Sequence, residues 1–230
     1  MRRFGDTRWG SHYGTLISIV TMFSSIGDAL EIITYDGSNS EQRCEANNLL
    51  ELMNSFTFVF CLHLMRDVLG ITHELSQALQ RKDQDIVNAM KLVELCQRRL
   101  KMMRESGWDL LLDQVSSFCV KHNIEVPKMS DMFLNRGRKR RKAQEITNLH
   151  HYQVQLFCTI LDMQLQELNN RFNETSTELL LCLSCLSPNE SLSAFDKQKL
   201  VCLAQFYPRD FSARDLMALE IQLETYIIDM

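Results

Sequence analysis

Apolar residues recur every three or four positions along most of this chain, with polar residues between them. In the first such stretch, from Tyr13 to Thr34, the apolar positions are Leu16, Ile19, Val20, Phe23, Ile26, Leu30 and Ile33. This spacing matches the turn of an α-helix, so one face of the stretch is suited to burial and the other to water. The pattern predicts one long helix from Tyr13 to Thr34.

The same period predicts eight further helices. They are expected at Ser40 to Met53, Phe56 to about Leu79, Asp83 as N-cap through Ile86 and Met103 to an end at Gly107, Trp108 to Lys121, Asn148 to about Phe172, Thr175 or Ser176 to Pro188, Asp196 to Phe206, and Ser212 to Tyr226. The run Phe58-Val59-Phe60 has strand-like composition, but the apolar stretch around it has helical length. We predict an all-α fold, an irregular multi-helix domain of about eight or nine helices that spans residues 1–230.

Residues 124–147 interrupt the helical pattern. They contain Pro127 and a basic run formed by Arg136, Gly137, Arg138, Lys139, Arg140, Arg141 and Lys142. Like charges at this density repel one another and stay in water, so we predict a basic loop. Three interpretations of the run remain open: a nuclear-import signal, a patch that binds nucleic-acid phosphates, and a solvated loop.

Amino-acid composition limits the possible fold classes and the possible binding partners. The chain has 230 residues with only 8 Gly and 3 Pro, which leaves few turns and disfavours a many-stranded sandwich or barrel. With 45% hydrophobic and 23% charged residues it should fold around an apolar core. The formal net charge is −4, so any nucleic-acid binding must come from a local basic patch rather than from the whole surface.

The chain shows no membrane or secretion signal. No window holds 18 uninterrupted apolar residues, and the N-terminus has no continuous apolar region or small-residue cleavage site. Seven of the eight cysteines, all except Cys44, lie in apolar helical segments, which favours a reducing intracellular compartment. The spacing of Cys182 and Cys185 is compatible with a metal or redox pair, but their apolar surroundings favour buried thiols.

Five segments resemble a known family. The opening Thr7-Arg8-Trp9-Gly10-Ser11-His12-Tyr13 resembles the "TRW-S" signature of hAT-superfamily transposases. The segments LQRKDQDI (79–86), ITNLHHY (146–152), QLQELNNRF (164–172) and FYPRDFS (206–212) resemble the plant "zinc finger MYM-type protein 1-like" group of transposase-derived proteins. The resemblance covers nearly the whole chain, with the segments in order.

The resemblance implies a place for this chain within a larger architecture. Proteins of this family have an RNase H-like core whose three acidic residues hold two metal ions, with a helical insertion between the second and third. The chain resembles that insertion, with residues 1–12 a remnant of the junction to the core. The catalytic acids have no counterpart here, so we expect no catalytic residue, no metal and no cofactor. The family's dimerisation segment also lies outside the match, which leaves the oligomeric state open.

The resemblance also supplies candidate DNA contacts. In the resembled transposases the Arg-Trp that matches Arg8 and Trp9 lies beside the active site, where the tryptophan stacks on an unpaired base; the alternative for Trp9 is an anchor at the start of a helix. The candidate DNA-binding residues are Arg8, Trp9, Arg136, Arg138, Lys139, Arg140, Arg141 and Lys142. The remaining polar or aromatic candidates, Asp6, His12, His150, His151 and Trp108, are interpreted as solvated or structural residues.

We therefore expect a transposase-derived helical domain, inactive as a catalyst in this form, with protein-interaction and residual DNA-binding roles in the nucleus. The alternative function is a fragment of an active hAT transposase that cuts and joins DNA with two metal ions when its full core is present. A third alternative is a nonfunctional remnant. The alternative location is the cytoplasm.

Overall fold

The structure is a computed structural model that describes residues 9–80, 86–133, 146–173, 177–180, 182, 185 and 195–228. The regular secondary structure of these residues is helical throughout, which confirms the predicted all-α class. Strand-like pairing in the described part is limited to one isolated antiparallel bridge, between Met132 and Thr147.

The described residues form nine α-helices and one π-helix. They are α1 (Trp9–Thr21), α2 (Phe23–Asp36), α3 (Ser40–Met53), α4 (Phe56–Ala78), α5 (Ile86–Ser106), α6 (Trp108–Lys121), the π-helix (His150–Cys158), α7 (Thr159–Arg171), α8 (Lys197–Gln205) and α9 (Ala213–Ile228). Residues 177–180 and 182 are also helical. The predicted caps at Asp83, Thr175 and Ser176 and the predicted end at Pro188 lie outside the described residues.

The chain divides into two compact units. Unit 1 comprises Met1–Gln77 and Cys96–Leu165, and unit 2 comprises Ala78–Leu95 and Gln166–Met230. The single domain of residues 1–230 stays a prediction.

Helix α4 forms the centre of unit 1. Ten of its side chains are buried, namely Phe56, Val59, Phe60, Leu62, His63, Leu64, Val68, Leu69, Ile71 and Leu75. A helix that is apolar on nearly all sides is stable in water only when other helices cover it. The ring of Phe60 contacts Trp108, at 6.0 Å between centroids, and Trp108 in turn contacts Phe157 at 5.7 Å. Trp108 itself is half-buried, so it packs against core residues at the edge of the buried core.

The first predicted helix is broken at Met22 into α1 and α2, which meet at 77°. In the last turn of α1, the hydroxyls of Ser18 and Thr21 donate to the carbonyl oxygens four residues earlier, at 2.9 and 2.7 Å. Such side-chain bonds bend helices. After the bend, Phe23 is buried with its ring edge-to-face against Phe118 at 5.0 Å. A long helix was therefore the wrong prediction, because burial of Phe23 favours the bend.

Helix α6 has the predicted bounds, Trp108 to Lys121. At its start, a Cβ on Gly107 would lie 2.6 Å from the carbonyl oxygen of Met103, so this close turn after α5 requires glycine. At its end, Asn123 adopts φ 57°, the left-handed conformation that terminates helices, and the N–H of Ile124 donates to the carbonyl of Cys119. The chain thus leaves α6 with Ile124 buried.

Residues His150–Cys158 form a π-helix where an α-helix was predicted. Its buried residues, Tyr152 and Phe157, are five positions apart. Five residues of an α-helix turn by about 140° beyond a full turn, which would separate the two side chains. The wider π turn brings both onto the core face. The core residues are consequently Phe157 and Leu161, one position after Leu156 and Ile160, which continue the regular apolar period of the sequence from Tyr152.

In unit 2, both terminal helices begin with a side-chain cap. The carboxylate of Asp196 accepts hydrogen bonds from the N–H groups of Gln198 and Lys199 at the start of α8. Before α9, Ser212 and Asp215 bond each other's backbone N–H groups through their side chains. These caps satisfy donors that a helix terminus leaves unpaired. They confirm the predicted helix starts at Asp196 and Ser212.

No single helix in the described part of the chain is long and apolar enough to span a membrane. Two pairs of consecutive helices, α1 with α2 and α3 with α4, have the length and composition of a membrane span only when the two helices of a pair are taken together. These pairs are bent by 77° and 69°.

Candidate functional site

The side chains of the candidate DNA-binding residues lie outside the described part of the chain, but residues next to them are described. Arg8 and the basic run 136–142 lie outside the described residues. Trp9 is the first residue of α1, and its side chain is not described. Two places in unit 1 therefore bear on the DNA-binding hypothesis: the base of the basic segment, and the cleft beside α1.

The base of the basic segment is a short antiparallel clasp. The N–H of Phe133 donates to the carbonyl of Ile146 at 2.8 Å, next to the bridge between Met132 and Thr147. The N–H of Asn148 donates to the carbonyl of Asp131 at 2.8 Å. Residues 134–145, which contain the whole basic run, therefore start and end at one place on unit 1.

Aromatic rings lie directly beneath this clasp. The Phe133 ring stacks on the His151 ring at 3.6 Å between centroids and 17° between planes, and Tyr152 meets both rings edge-on. The hydroxyl of Tyr152 bonds the hydroxyl of Thr57 on α4 at 2.8 Å. Burial raises the pKa of Tyr152. The clasp is thus fixed to the first turn of α4 through Tyr152.

Next to the clasp is a cleft of about 860 Å³. It is lined by Asn48, Glu51, Leu52, Asn54, Ser55, Phe56, Thr57, Glu125, Pro127, Met132, Phe133, Asn148 and Tyr152. Its charged side chains are the two carboxylates, Glu51 and Glu125. Carboxylates repel phosphate, so this cleft is suited to cationic or amide groups rather than to a nucleic-acid backbone.

The second place is a smaller cleft of about 430 Å³ beside α1. It is lined by Tyr13, Ile17, Arg66, Asp67, Gly70, Ile71 and Arg99. Tyr13 lies one helical turn after Trp9 and packs on α4, with its ring 4.7 Å from that of His73. A Cβ on Gly70 would lie 3.2 Å from the Tyr13 ring, so the glycine permits this close approach. Tyr13 therefore fixes α1 against α4 at the cleft.

The two arginines of this cleft differ in their partners. Arg66 forms an ion pair with Asp67 at 2.6 Å and donates to Gln114 at 3.2 Å. Arg99 is exposed, and no carboxylate of the described residues lies within ion-pair distance of it. A guanidinium in this setting keeps its donors for an incoming anion, and a phosphate oxygen fits its geometry. Arg99 is the cationic group of the cleft that remains available to a ligand.

Sequence reasoning missed Arg66 and Arg99. The two residues are on different helices, and neither belongs to a basic run or to a motif. Only the packing of α1, α4 and α5 brings them to one cleft. A weak signal was available in Arg66, which is a charged residue inside the apolar stretch of α4.

One buried group of unit 1 lacks a partner. Both ring nitrogens of His63 on α4 have no hydrogen-bond partner among the described residues, and the ring lies edge-to-face against Phe118 at 4.9 Å. Burial, with a smaller contribution from the charge of Arg66, lowers the pKa of His63 to about 4. His63 is therefore neutral at physiological pH.

The structure also bears on the residues considered as metal ligands. Within the described ranges, no group of three or more His, Cys, Asp and Glu side chains is arranged to hold a metal ion. Cys182 and Cys185 are 2% and 4% exposed, which confirms the interpretation of both as buried residues. His151 lies in the aromatic stack, and His150 is exposed.

No protein-family model matches the chain, and no solved structure matches it. The resemblance to transposase-derived proteins therefore rests on the five sequence segments.

Proposed function

We propose that this chain is a transposase-derived helical domain that binds DNA and protein partners and has no catalytic activity of its own. The observation that carries the proposal is the clasp between Phe133 and Ile146, which holds both ends of the basic segment on unit 1. The segment between these two joined residues carries six cations within seven sequence positions, 136–142. This local positive charge favours binding to phosphate backbones, although the net charge of the whole chain is negative.

The cleft beside α1 adds a separate cationic contact. Thr57 marks the clasp end of α4, and Gly70 marks the cleft end, thirteen residues later. Thirteen residues of an α-helix rise by about 20 Å and turn by about 220° beyond whole turns, so the two places lie on different sides of α4. We therefore propose the α1 cleft as a second DNA contact that acts independently of the basic run.

The test is DNA binding as a function of salt. Fluorescence anisotropy with a labelled duplex should show binding that weakens steeply between about 50 and 200 mM salt. Replacing Arg138, Lys139, Arg140 and Arg141 with alanine should reduce the slope of log K against log salt by up to about 3 to 4, because fewer counterions are released. Circular dichroism should show unchanged helical content.

The matched control is a second quadruple alanine variant at exposed basic positions outside the run, at Lys91, Lys121, Lys199 and Arg209. It lowers the net charge by the same amount and should change the slope much less. Equal effects of the two variants would show that the run binds only as part of the general surface charge. Absence of binding by the unaltered chain would contradict the proposed DNA-binding role.

The proposed nuclear location rests on the same basic run. A fluorescent fusion of the chain should accumulate in the nucleus, and the quadruple variant at Arg138 to Arg141 should shift it toward the cytoplasm. The control variant should remain nuclear. An unchanged distribution would favour the alternative in which the run is only a solvated loop.

A further inference from the structure

Helix α9 in unit 2 exposes apolar residues that its neighbour does not cover. None of the side chains described for α9 is buried. Leu219 and Leu223 face α8, where they line an apolar groove with Leu200 and Phe211. Met217 and Ile221, in contrast, are 70% and 65% exposed. A helix that is apolar on this second side is typical of a surface that another helix covers.

The exposed side of α9 carries a positive charge at one end and a negative charge at the other. Its residues are Arg214, Met217, Ile221 and Glu224, all exposed and spaced three, four and three apart, which places them on one face. A cation stands at the first position of the stripe, two apolar side chains stand in the middle, and an anion stands at the last. We call these four residues the α9 stripe.

We propose that the α9 stripe binds the same stripe of a second copy of this chain, with the two helices antiparallel. A twofold axis at the level of Leu219 places residue 214 opposite 224 and residue 217 opposite 221. Each Arg214 then meets Glu224 of the other copy, and each Met217 meets Ile221 of the other copy. This self-complementary arrangement is what a twofold interface requires, and it is independent of the proposed DNA binding.

The charges favour this occupant over a partner within the chain. No carboxylate of the described residues lies within ion-pair distance of Arg214. Glu224 is ten residues away along the helix, about 15 Å, so the two cannot pair within one copy. Lys197 on α8 holds Glu224 at 2.6 Å and Glu220 at 3.1 Å, yet Glu224 remains 59% exposed and open to a second cation. Parallel helices would oppose like charges at both ends of the stripe.

The small size of the stripe sets the strength of the contact. Helix α9 has 16 residues, about 24 Å of length, and contributes two large apolar side chains per copy. Such an interface lies at the low end of specific interfaces. We therefore expect weak, concentration-dependent dimers rather than a permanent complex.

Sedimentation velocity of the full chain, at concentrations up to about 1 mM, tests the proposal. The unaltered chain should shift from monomer to dimer as its concentration rises. The variants Arg214→Glu and Glu224→Arg should each dimerise roughly tenfold more weakly, because each opposes like charges at two symmetric positions. An equimolar mixture of the two variants should dimerise as well as the unaltered chain, since every opposed pair is then attractive.

The control is Lys197→Gln, which removes the ion pairs within the chain but leaves the stripe intact. It should dimerise as the unaltered chain does. A chain that stays monomeric at every concentration overturns the proposal and leaves the stripe for a different protein. Dimers that the two charge reversals do not weaken, or a mixture that does not recover, overturn it as well, because the copies would then associate through another surface.

Discussion

The hydroxyl groups of Thr57 and Tyr152 lie 2.8 Å apart, although the two residues are 95 positions apart in the chain. Tyr152 also meets the rings of Phe56 and Phe60 at about 5 Å, so its ring and its hydroxyl are both held by α4. This contact connects the π-helix, and the clasp beside it, to the central helix of unit 1. The contacts of Tyr152 thus attach the clasp to the buried side chains of α4.

Replacing Tyr152 with Phe should therefore lower the free energy of unfolding by about 1 kcal/mol, because the hydroxyl of Thr57 loses a partly buried partner. Urea denaturation measures the loss. The variant Thr57→Val should cost a similar amount, and the double variant should cost less than the sum of the two. Strictly additive losses would show that the two hydroxyls contribute independently.

Acid should destabilise unit 1 through His63. The pKa of His63 lies near 4 in the folded state and near 6.5 in the unfolded chain, so between these values the unfolded state binds the proton and stability falls as the pH falls. From pH 7 to pH 5 the expected loss is about 2 kcal/mol. The variant His63→Leu should remove most of this pH dependence in urea titrations at the two pH values.

His122 provides the internal comparison for that experiment. Its pKa is also lowered, by partial burial and by the charge of Lys121, so the His63 variant should keep a smaller acid response from this group. A variant at His63 with the full response of the unaltered chain would show that folding does not lower the pKa of His63.

Arg99 should contribute to DNA binding. The variant Arg99→Gln should weaken binding to a duplex and lower the slope of log K against log salt by about 1, as expected for one lost phosphate contact. Arg98→Gln is the matched control, because it removes the same charge from the neighbouring exposed position of α5. Anisotropy titrations that give the same slope for both variants would remove the cleft from the DNA interface.

Deleting Val154 should be tolerated. Val154 is exposed and lies between Tyr152 and Phe157, so its removal leaves the two buried residues four positions apart, as an ordinary α-helix requires. We expect a loss of stability of about 2 kcal/mol or less. Thermal unfolding followed by circular dichroism measures this loss.

The control for that deletion is removal of Asp113 from α6, between the buried Leu111 and Val115. This deletion rotates the following core residues away from their contacts and should cost more than about 4 kcal/mol. Equal losses in the two deletions would show that the π turn is not what accommodates the additional residue.

The purified chain should not cut or join DNA with Mg²⁺ or Mn²⁺. Cleavage by two metal ions requires carboxylates that converge on ions about 4 Å apart, and the resembled family's acidic residues have no counterpart in this sequence. A supercoiled plasmid should stay supercoiled on an agarose gel after incubation with either ion. Nicking that depends on metal and follows the protein through successive purification steps would favour the alternative of an active transposase fragment.

Local sequence was sufficient to predict helix bounds where a helix has a clear apolar period and a flanking residue that ends or caps it. Gly107 separates α5 from α6, and the bounds of α6 could be predicted to the residue. The same holds for Asp196 and Ser212, whose side chains cap the helices that follow them. Caps and close turns act within a few residues, so their signal is visible in the sequence itself.

Features that depend on distant packing were not predictable. The bend at Met22 has no glycine or proline to mark it, and the burial of Phe23 against Phe118 decides it. In the π-helix, a regular apolar period gave the wrong core face, because the partners that select Phe157 come from other helices. The Arg99 cleft could not be predicted either, because its residues come together only when α1, α4 and α5 pack.

The clasp at Phe133 and Ile146 also makes the chain between them an insertion point. Because the two ends are already joined by hydrogen bonds, extending the connection mainly changes its loop-closure entropy, and each doubling of its length costs only about 0.6 kcal/mol. Related genes should therefore differ in length here more than within the helices. We expect unit 1 to keep its fold when an affinity tag or a small reporter domain with adjacent termini is inserted in this segment.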